Sequence, residues 1–550
     1  MDVFEVIVAL LLGGAALAAL ARRMGVPYPA LLALAGAGLA LVPGVPAVVL
    51  DPELALALFV APVLLDAAFD SSPRDLRNNW RAVTSLALGA VVITVTLVAS
   101  VAKLLVPGMP WAAAIALGAI VAPPDAAAAT AVLRQLRPPH RLLVILEGES
   151  LFNDASALLI YRMAVAAAIT GTFSGWSVAS TLLLVMAGSV ALAVVLAWVT
   201  LAVSRRITDV ATAVIFQFCG AFGVWMIAER LHLSGIITTV VYAMVAARKV
   251  PLILSARIRV PSWAVWEVVV FVLNVLSFVL VGMQLKSIIA RTGGAVAGHY
   301  ALIAAAVCLT VVIARAAWVA AESAVARAFR CKSAFSPREA TAVAWCGMRG
   351  TVTLAAALAL PDGGEHAFPF RDVMVITAFG VVLGTLVAQG LTLRPLMAWL
   401  KLEDDGAIDR ETHAARVEAL RAGVAAVANV PTSEISEFVR QRFDLQLRRA
   451  QSLCEADGDP TAAKSEDGTL IDQDGDVQAM RTAFTAQRQK LVALRTDGTI
   501  GDTAFQRVEE EIDRLELGWT SLLHIDGIEP PSEVEIETDA EANAPAKPTP

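Results

Sequence analysis

Charge is what this sequence has least of. Only 17% of its 550 residues are Asp, Glu, Lys or Arg, against about 25% in an ordinary soluble globule. A basic patch is also missing, and the net charge of -7 belongs mostly to the C-terminal part, so nucleic acid is excluded as a partner. Cysteine is sparse: Cys219, Cys308, Cys331, Cys346 and Cys454 are scattered without a CxxC pair. That spacing excludes a disulfide framework and a thiolate metal site. A cleavable leader is lacking too. Such leaders begin with positive charge, whereas here Asp2 and Glu5 come first, an apolar run follows, and Arg22 and Arg23 close it. The pattern predicts a retained membrane helix.

What is present is apolar chain. Hydrophobic residues make up 57% of the sequence, and mean hydropathy is +0.67. They lie in long blocks from Met1 to about Leu400. A helix needs about 20 apolar residues to cross the hydrocarbon. That ruler predicts thirteen spans, near 3–21, 28–43, 53–69, 82–106, 111–132, 142–169, 177–203, 209–229, 231–247, 263–290, 299–326, 338–360 and 372–398. The loops after the odd-numbered spans collect the positive charge: Arg22 and Arg23; Arg74, Arg77 and Arg81; Arg134, Arg137 and Arg141; Arg205 and Arg206; Arg248, Lys249, Arg257 and Arg259; Arg327, Arg330, Lys332 and Arg338. Positive loops face the cytoplasm, so the N-terminus is expected outside and the tail inside. With the seventh span as linker, spans 1–6 and 8–13 run in opposite senses, the layout of an inverted repeat.

Two spans are interrupted at matching places in the two halves. The fifth contains Pro123-Pro124 followed by Asp125, and the twelfth contains Gly347-Met348-Arg349-Gly350. Proline in mid-membrane ends the helical ladder, and the freed backbone groups need protein or a cavity. Either interruption alone is compatible with a packing kink or with close helix contact. Paired interruptions beside charges point to a midplane binding site.

Ionisable residues inside membrane helices are costly and default to functional hypotheses. The sixth span holds Glu147, Glu149 and Asp154, with Ser150 four residues before Asp154 on the same face and Asn153 beside it. Asp66 lies in the third span and Arg315 in the eleventh. Asp154, Asp125, Asp66, Asn153, Ser150 and the backbone at Pro124 offer the oxygen ligands that a hard alkali cation takes. Desolvation disfavours a charged carboxylate, so one held there can carry a proton or help to hold a cation, but not both well. That competition is the basis of antiport. Arg315 needs a partner, and Glu149 is the expected one. Glu267 and Glu322 are expected near helix ends in contact with water, and Glu147 is open between a solvated end residue and a functional one.

The runs GAIVAPPDAAAAT, ILEGESLFNDASALLIYR and CGMRGTVTLAAALALP closely resemble the bacterial branch of the sodium–proton exchanger (NhaP-type) family. The resemblance covers the whole membrane region, and its specific signal is Asn153-Asp154. It implies an all-α polytopic membrane protein of thirteen helices, with a dimerisation domain and a six-helix core crossed at spans 5 and 12. It implies a homodimer in the bacterial inner membrane, moving by an elevator mechanism. Asp154 would be the main cation and proton carrier, with Asn153 beside it. Asp125, Ser150 and Asp66 match further cation-site positions, so Na+ or K+ would sit at Asp154 and Asp125. Glu149 and Arg315 match a buried salt bridge. Apart from the resemblance, Arg349 with Gly347 and Gly350 is expected to anchor the broken helices. An Asn-Asp pair implies electroneutral one-for-one exchange. No cofactor is expected beyond the transported Na+, K+ or Li+ and H+. Threonine often precedes the broken-helix aspartate in the family; Pro124 stands there in this chain and leaves only a carbonyl.

Three regions are expected: a transmembrane antiporter domain (1–400), a cytoplasmic helical regulatory tail (401–528) and an acidic, Pro-rich disordered end (529–550). Within the tail, 409–455 and 482–523 read as helical, and 456–475 as an acidic loop. The DQDGD in that loop lacks the glycine and terminal glutamate of a calcium loop. Rival readings are a cation channel, a K+-selective exchanger, an organic-anion transporter of the same fold and an intramembrane aspartyl protease. The protease reading lacks its usual flanking chemistry, and the surplus of acids argues against an organic anion.

Overall fold

The computed structural model describes residues 3–43, 52–136, 138–170, 175–286, 288, 294–330, 334–361, 368–402, 404, 406–428 and 434–458, with isolated positions between 487 and 518. Among these residues the secondary structure is helical and contains no strand. The chain divides into two units, 1–405 and 406–550.

The first unit is a multi-pass helical membrane body. Among the described residues, eight helices are long and apolar enough to cross a bilayer. Helix α1 is Val3–Met24. Helix α2 is Tyr28–Ala40, entered through Pro27, whose fixed backbone suits a helix start. Helix α3 is built from Pro52–Ala55, the π-turn Leu56–Val60 and Ala61–Asp70. A short α4, Pro73–Asn78, is capped by the Ser72 hydroxyl, which accepts from the Asp75 amide. Helix α5 joins Trp80–Thr84, the π-turn Ser85–Ala90 and Val91–Leu105.

The interrupted fifth segment gives α6, Trp111–Val121, and α7, Ala126–Leu136. There follow α8 (His140–Thr170), α9 (Gly175–Ser204), α10 (Val210–Arg230), α11 (Gly235–Ile253), α12 (Ala256–Met283) and α13 (Gly294–Ala328). The second interrupted segment gives α14, Pro337–Trp345, with a full capping box between Ser336 and Glu339, and α15, Thr351–Leu358. Helix α16, Arg371–Leu400, closes the unit.

Small residues set the helix spacing. A Cβ on Gly36 would strike the Val279 carbonyl, and one on Gly282 would strike the Ala33 carbonyl. Helices α2 and α12 therefore meet backbone to backbone, the usual solution where no hydrophobic drive separates helix from lipid. The π-turn in α5 has a similar local cause. Gly89 leaves room for the Trp318 ring. The indole N–H donates to the Ser85 carbonyl at 3.2 Å, and the Ser156 hydroxyl donates to the Ala87 carbonyl at 2.7 Å. Side chains from α13 and α8 thus take carbonyls that the widened turn releases.

The second unit contains α17 (Ala407–Ala428) and α18 (Glu434–Gly458), packed as a hairpin with Phe443 against Gly423. The expectation of one helical stretch over 409–455 thus resolves into two helices. Helix α18 runs to Gly458, into the first residues of the stretch read as an acidic loop. The rest of that loop, most of 482–523 and all of 529–550 lie outside the described residues.

Candidate functional site: the crossing of two broken helices

The two interruptions meet. The Asp125 amide donates to the Met348 carbonyl at 2.7 Å, joining the unwound stretches by their backbones. Four half-helix ends therefore converge in apolar surroundings, and each brings unsatisfied groups and a partial charge. One acid and one base answer them.

Asp125 serves the two N-terminal ends. Its Oδ1 accepts from the Ala127 amide at 2.9 Å, capping α7. Its carboxylate also lies against Gly350, just before α15, so closely that a Cβ at 350 would overlap it. Gly350 is needed because the acid occupies the space a side chain would fill. Arg349 serves the C-terminal ends. Its Nε and Nη2 donate to the Val121 and Ala122 carbonyls at 3.0 Å each, where α6 stops, and its Nη1 donates to the Gly347 carbonyl beyond α14. The Arg349 amide is held by the Thr385 hydroxyl at 3.0 Å. Gly347 lies between the side chains of Arg315 and Arg349 and has no room for a Cβ.

Helix α8 passes beside this crossing. Asn153, fully buried, donates Nδ2 to the Pro124 carbonyl at 3.2 Å, while its Oδ1 has no hydrogen-bond partner. Asp154 is buried at 6% exposure. No Lys or Arg ion-pairs with it among the described residues. A cavity of about 280 Å3 is lined by Asp154, Ser150, Asp125, Pro124, Asp66 and Thr351. The structure thus brings the predicted oxygen donors of three segments to one chamber, with Asn153 set behind Pro124 and Thr351 of a fourth segment joining them. Among the described residues no three His, Cys, Asp or Glu side chains gather tightly enough to hold a metal ion. Hydroxyl and carbonyl oxygens must therefore complete any cation shell.

Five residues before Asp154, Glu149 meets a different fate. Arg315 grips it with both terminal nitrogens, Nη2 at 2.8 Å from Oε2, and donates Nε to the Val343 carbonyl at 3.1 Å. Both side chains are 2% exposed. This is a bidentate, fully desolvated pair whose extra donor is also satisfied.

A second cavity, about 750 Å3, shares Tyr28, Asp66, Asp70 and Arg134 with the first and continues from it as a vestibule. Arg22, Ser204, Leu254 and Arg259 are among the residues that line it. Sequence reasoning missed Asp70, Arg134, Thr351 and Asn274 as cavity-lining residues. Arg134 read there as a loop charge after the fifth span, and nothing marked Asp70 or Asn274, both of which line both cavities. The three remaining acids divide. Glu147 pairs with Arg134 at 3.2 Å, and Glu267 lines the vestibule. Glu322 departs from the expectation: it is half-buried, and its Oε2 is cut off from solvent without a hydrogen-bond partner.

The sequence pattern of the sodium/hydrogen exchanger transmembrane family matches residues 7–399. The chain belongs to that family. The chain is 30% identical over 533 residues to an uncharacterized Na+/H+ exchanger of Mycobacterium tuberculosis, covering 93% of this chain and 95% of the relative. It is 31% identical over 444 residues to the Na+/H+ antiporter ApNhaP of Aphanothece halophytica, covering 79% and 81%. It is 30% identical over 363 residues to a sodium, potassium, lithium and rubidium/H+ antiporter of Bacillus subtilis, covering 62% and 54%. In fold the chain resembles the sodium–proton antiporter MjNhaP1 of Methanocaldococcus jannaschii, with TM-score 0.57, 18% identity, 72% of this chain and 98% of that one.

Proposed function

We propose that this chain is a secondary antiporter that moves Na+, or K+ or Li+, against H+ with one-for-one electroneutral stoichiometry. One observation carries this reading: Asp154 is buried without a counter-cation, in a chamber of oxygen donors at a helix crossing. A carboxylate so placed binds either a proton or a dehydrated alkali ion. Asp125 is committed to capping half-helices and adds negative charge. Ser150, Asp66, Thr351 and the Pro124 carbonyl supply further oxygens. Pro124, where the family often has threonine, leaves its carbonyl shared with Asn153. The rubidium-handling relative of Bacillus subtilis motivates testing larger cations as well as sodium.

Thirteen spans, an external N-terminus and a cytoplasmic tail complete the proposal. The vestibule-lining residues Arg22, Ser204, Leu254 and Arg259 fall at ends assigned to the cytoplasm by positive charge. On that orientation the chain is in a state open to the inside. Alternating access then proceeds by an elevator movement of the crossed-helix core in a homodimer. The residues after 405 form a regulatory domain; deletion of 406–550 should alter pH dependence, dimerisation or rate, and no change in all three would refute the role.

The deciding experiment is proton flux in proteoliposomes under Na+, K+, Li+ and Rb+ gradients with the voltage clamped. Cation-driven proton movement without net current is expected. Current carried without proton coupling would instead make the protein a channel.

A further inference from the structure

The end of α8 away from the vestibule carries a second ion pair that the transport site does not use. Arg162 lies eight residues beyond Asp154, about 12 Å along the helix. Its Nη2 donates to Glu229 at 2.8 and 3.0 Å, one bond to each carboxylate oxygen. Glu229 is at the far end of α10, and its Oε1 also accepts from the Gly235 amide at 3.3 Å, where α11 begins. One carboxylate therefore ties the helix that carries Asp154 to the turn between α10 and α11. Helices α10 and α11 also line the vestibule, through Gln217, Tyr242 and Val250. The vestibule thus lies toward one end of α10 and α11, and the opposite end of that helix pair is fastened to α8. The pair is half-exposed, 49% for Arg162 and 35% for Glu229, so it can open into water without stranding a buried charge.

We propose that Arg162 and Glu229 form a latch that holds the far end shut while the vestibule is open, and that the pair separates in every transport cycle. The inference rests on the antiport reading above and adds the contact that must break. Arg162 is a positioning residue here, since it touches neither cation nor proton site. The same carboxylate remains on the Gly235 amide when the latch opens, so the α10–α11 turn keeps its shape. The moving partner is then α8.

The test uses the full chain with its native cysteines replaced, reconstituted in liposomes. Arg162→Cys and Glu229→Cys are combined and joined by a short bis-maleimide, with a Thr200→Cys reporter in the vestibule of a parallel preparation whose 162/229 pair is already joined. The expected result is a loss of exchange of more than tenfold on linking, while the reporter still reacts with a water-soluble maleimide as fast as in the unlinked protein. Unlinked single-cysteine proteins must exchange; if they and the wild type do not, it is the antiport reading that fails. Exchange undiminished by linking would overturn the latch, and so would a linked protein whose vestibule has closed to the reagent. Charge variants give an independent measure. Glu229→Gln, which keeps an oxygen for Gly235, and Arg162→Gln should each raise the exchange rate about two- to fivefold, the range of a half-exposed pair. Arg162→Glu with Glu229→Arg should restore it. Wild-type rates in both single variants would overturn the proposal.

Discussion

Glu149 and Asp154 lie on one helix, five residues apart, both acidic and both buried, and they are solved in opposite ways. Glu149 is neutralised by a two-pronged arginine that is itself bound to the Val343 carbonyl. Asp154 has no basic partner among the described residues and faces a chamber. Inside a membrane an acid is tolerable if its charge is permanently cancelled or if it can be discharged by a proton or an ion. The first solution fixes helices together, and the second makes a carrier. The comparison teaches that burial alone does not mark the working residue. What marks it is burial without a fixed counter-charge.

The largest effect expected from breaking this contrast is at the carrier. Asp154→Asn keeps the shape and removes the titrating charge, so exchange should fall to the level of protein-free liposomes while the purified protein elutes and melts like wild type. Sodium-driven proton efflux at the wild-type rate would transfer the carrier role elsewhere. At the fixed pair the emphasis reverses. Glu149→Gln strands Arg315, and Arg315→Met strands Glu149; either should cost about 3–5 kcal/mol of stability, read as loss of folded protein on heating. Replacing both should cost much less than the two single losses added together. A double-mutant cycle with no coupling would dissolve the pairing as a structural unit.

The crossing sharpens the same point through space rather than charge. A methyl at position 350 would overlap the Asp125 carboxylate. Gly350→Ala should therefore push that carboxylate off the α15 end. Overpacking of this kind costs about 1–3 kcal/mol, and a displacement near 1 Å at a working site can slow it about a hundredfold. Exchange should drop more than melting temperature does. Wild-type exchange with an intact melting temperature would mean that Asp125 has freedom the packing denies.

Much of this was legible in the sequence because a bilayer allows few solutions. Apolar runs, the double proline and charges in forbidden places point to the interruptions, to Asp154 and to the Glu149–Arg315 pair without coordinates. The capping roles were less legible. Nothing in the run GMRGT says that Arg349 will reach the carbonyls of Val121 and Ala122 more than two hundred residues earlier; only the crossing brings them together. Asp70 and Arg134 were hidden because a charge at a helix end has a simple solvated explanation. Their place in the cavity depends on how α3 and α7 splay. The π-turn of α5 has no sequence signature here beyond Gly89, since its cause is the packing of Trp318 and Ser156 from other helices.

The smallest expected effect comes from a partnered acid outside the membrane, and it tests whether depth gives pairing its weight. Asp75, on the short α4, has Oδ2 3.3 Å from His140 Nε2 and Oδ1 3.2 Å from Arg74 Nε. Burial works against its charged form, but hydrogen bonds from His140, Ser72 and Arg74, with the charge of Arg74, hold its carboxyl below the ordinary carboxylate range. A depressed folded value means that the unfolded chain binds the proton more readily. The stabilisation is therefore present above the ordinary value near pH 4 and is lost as pH falls through the folded one. Asp75→Asn should cost under about 1 kcal/mol at neutral pH, and the gap to wild type should close in acid, as followed by thermal melting from pH 7 to pH 3. A loss at pH 7 as large as that of Glu149→Gln would mean that pairing, and not the absence of water around it, sets the energy of these contacts. The contrast between Glu149 and Asp154 would then need a cause other than desolvation.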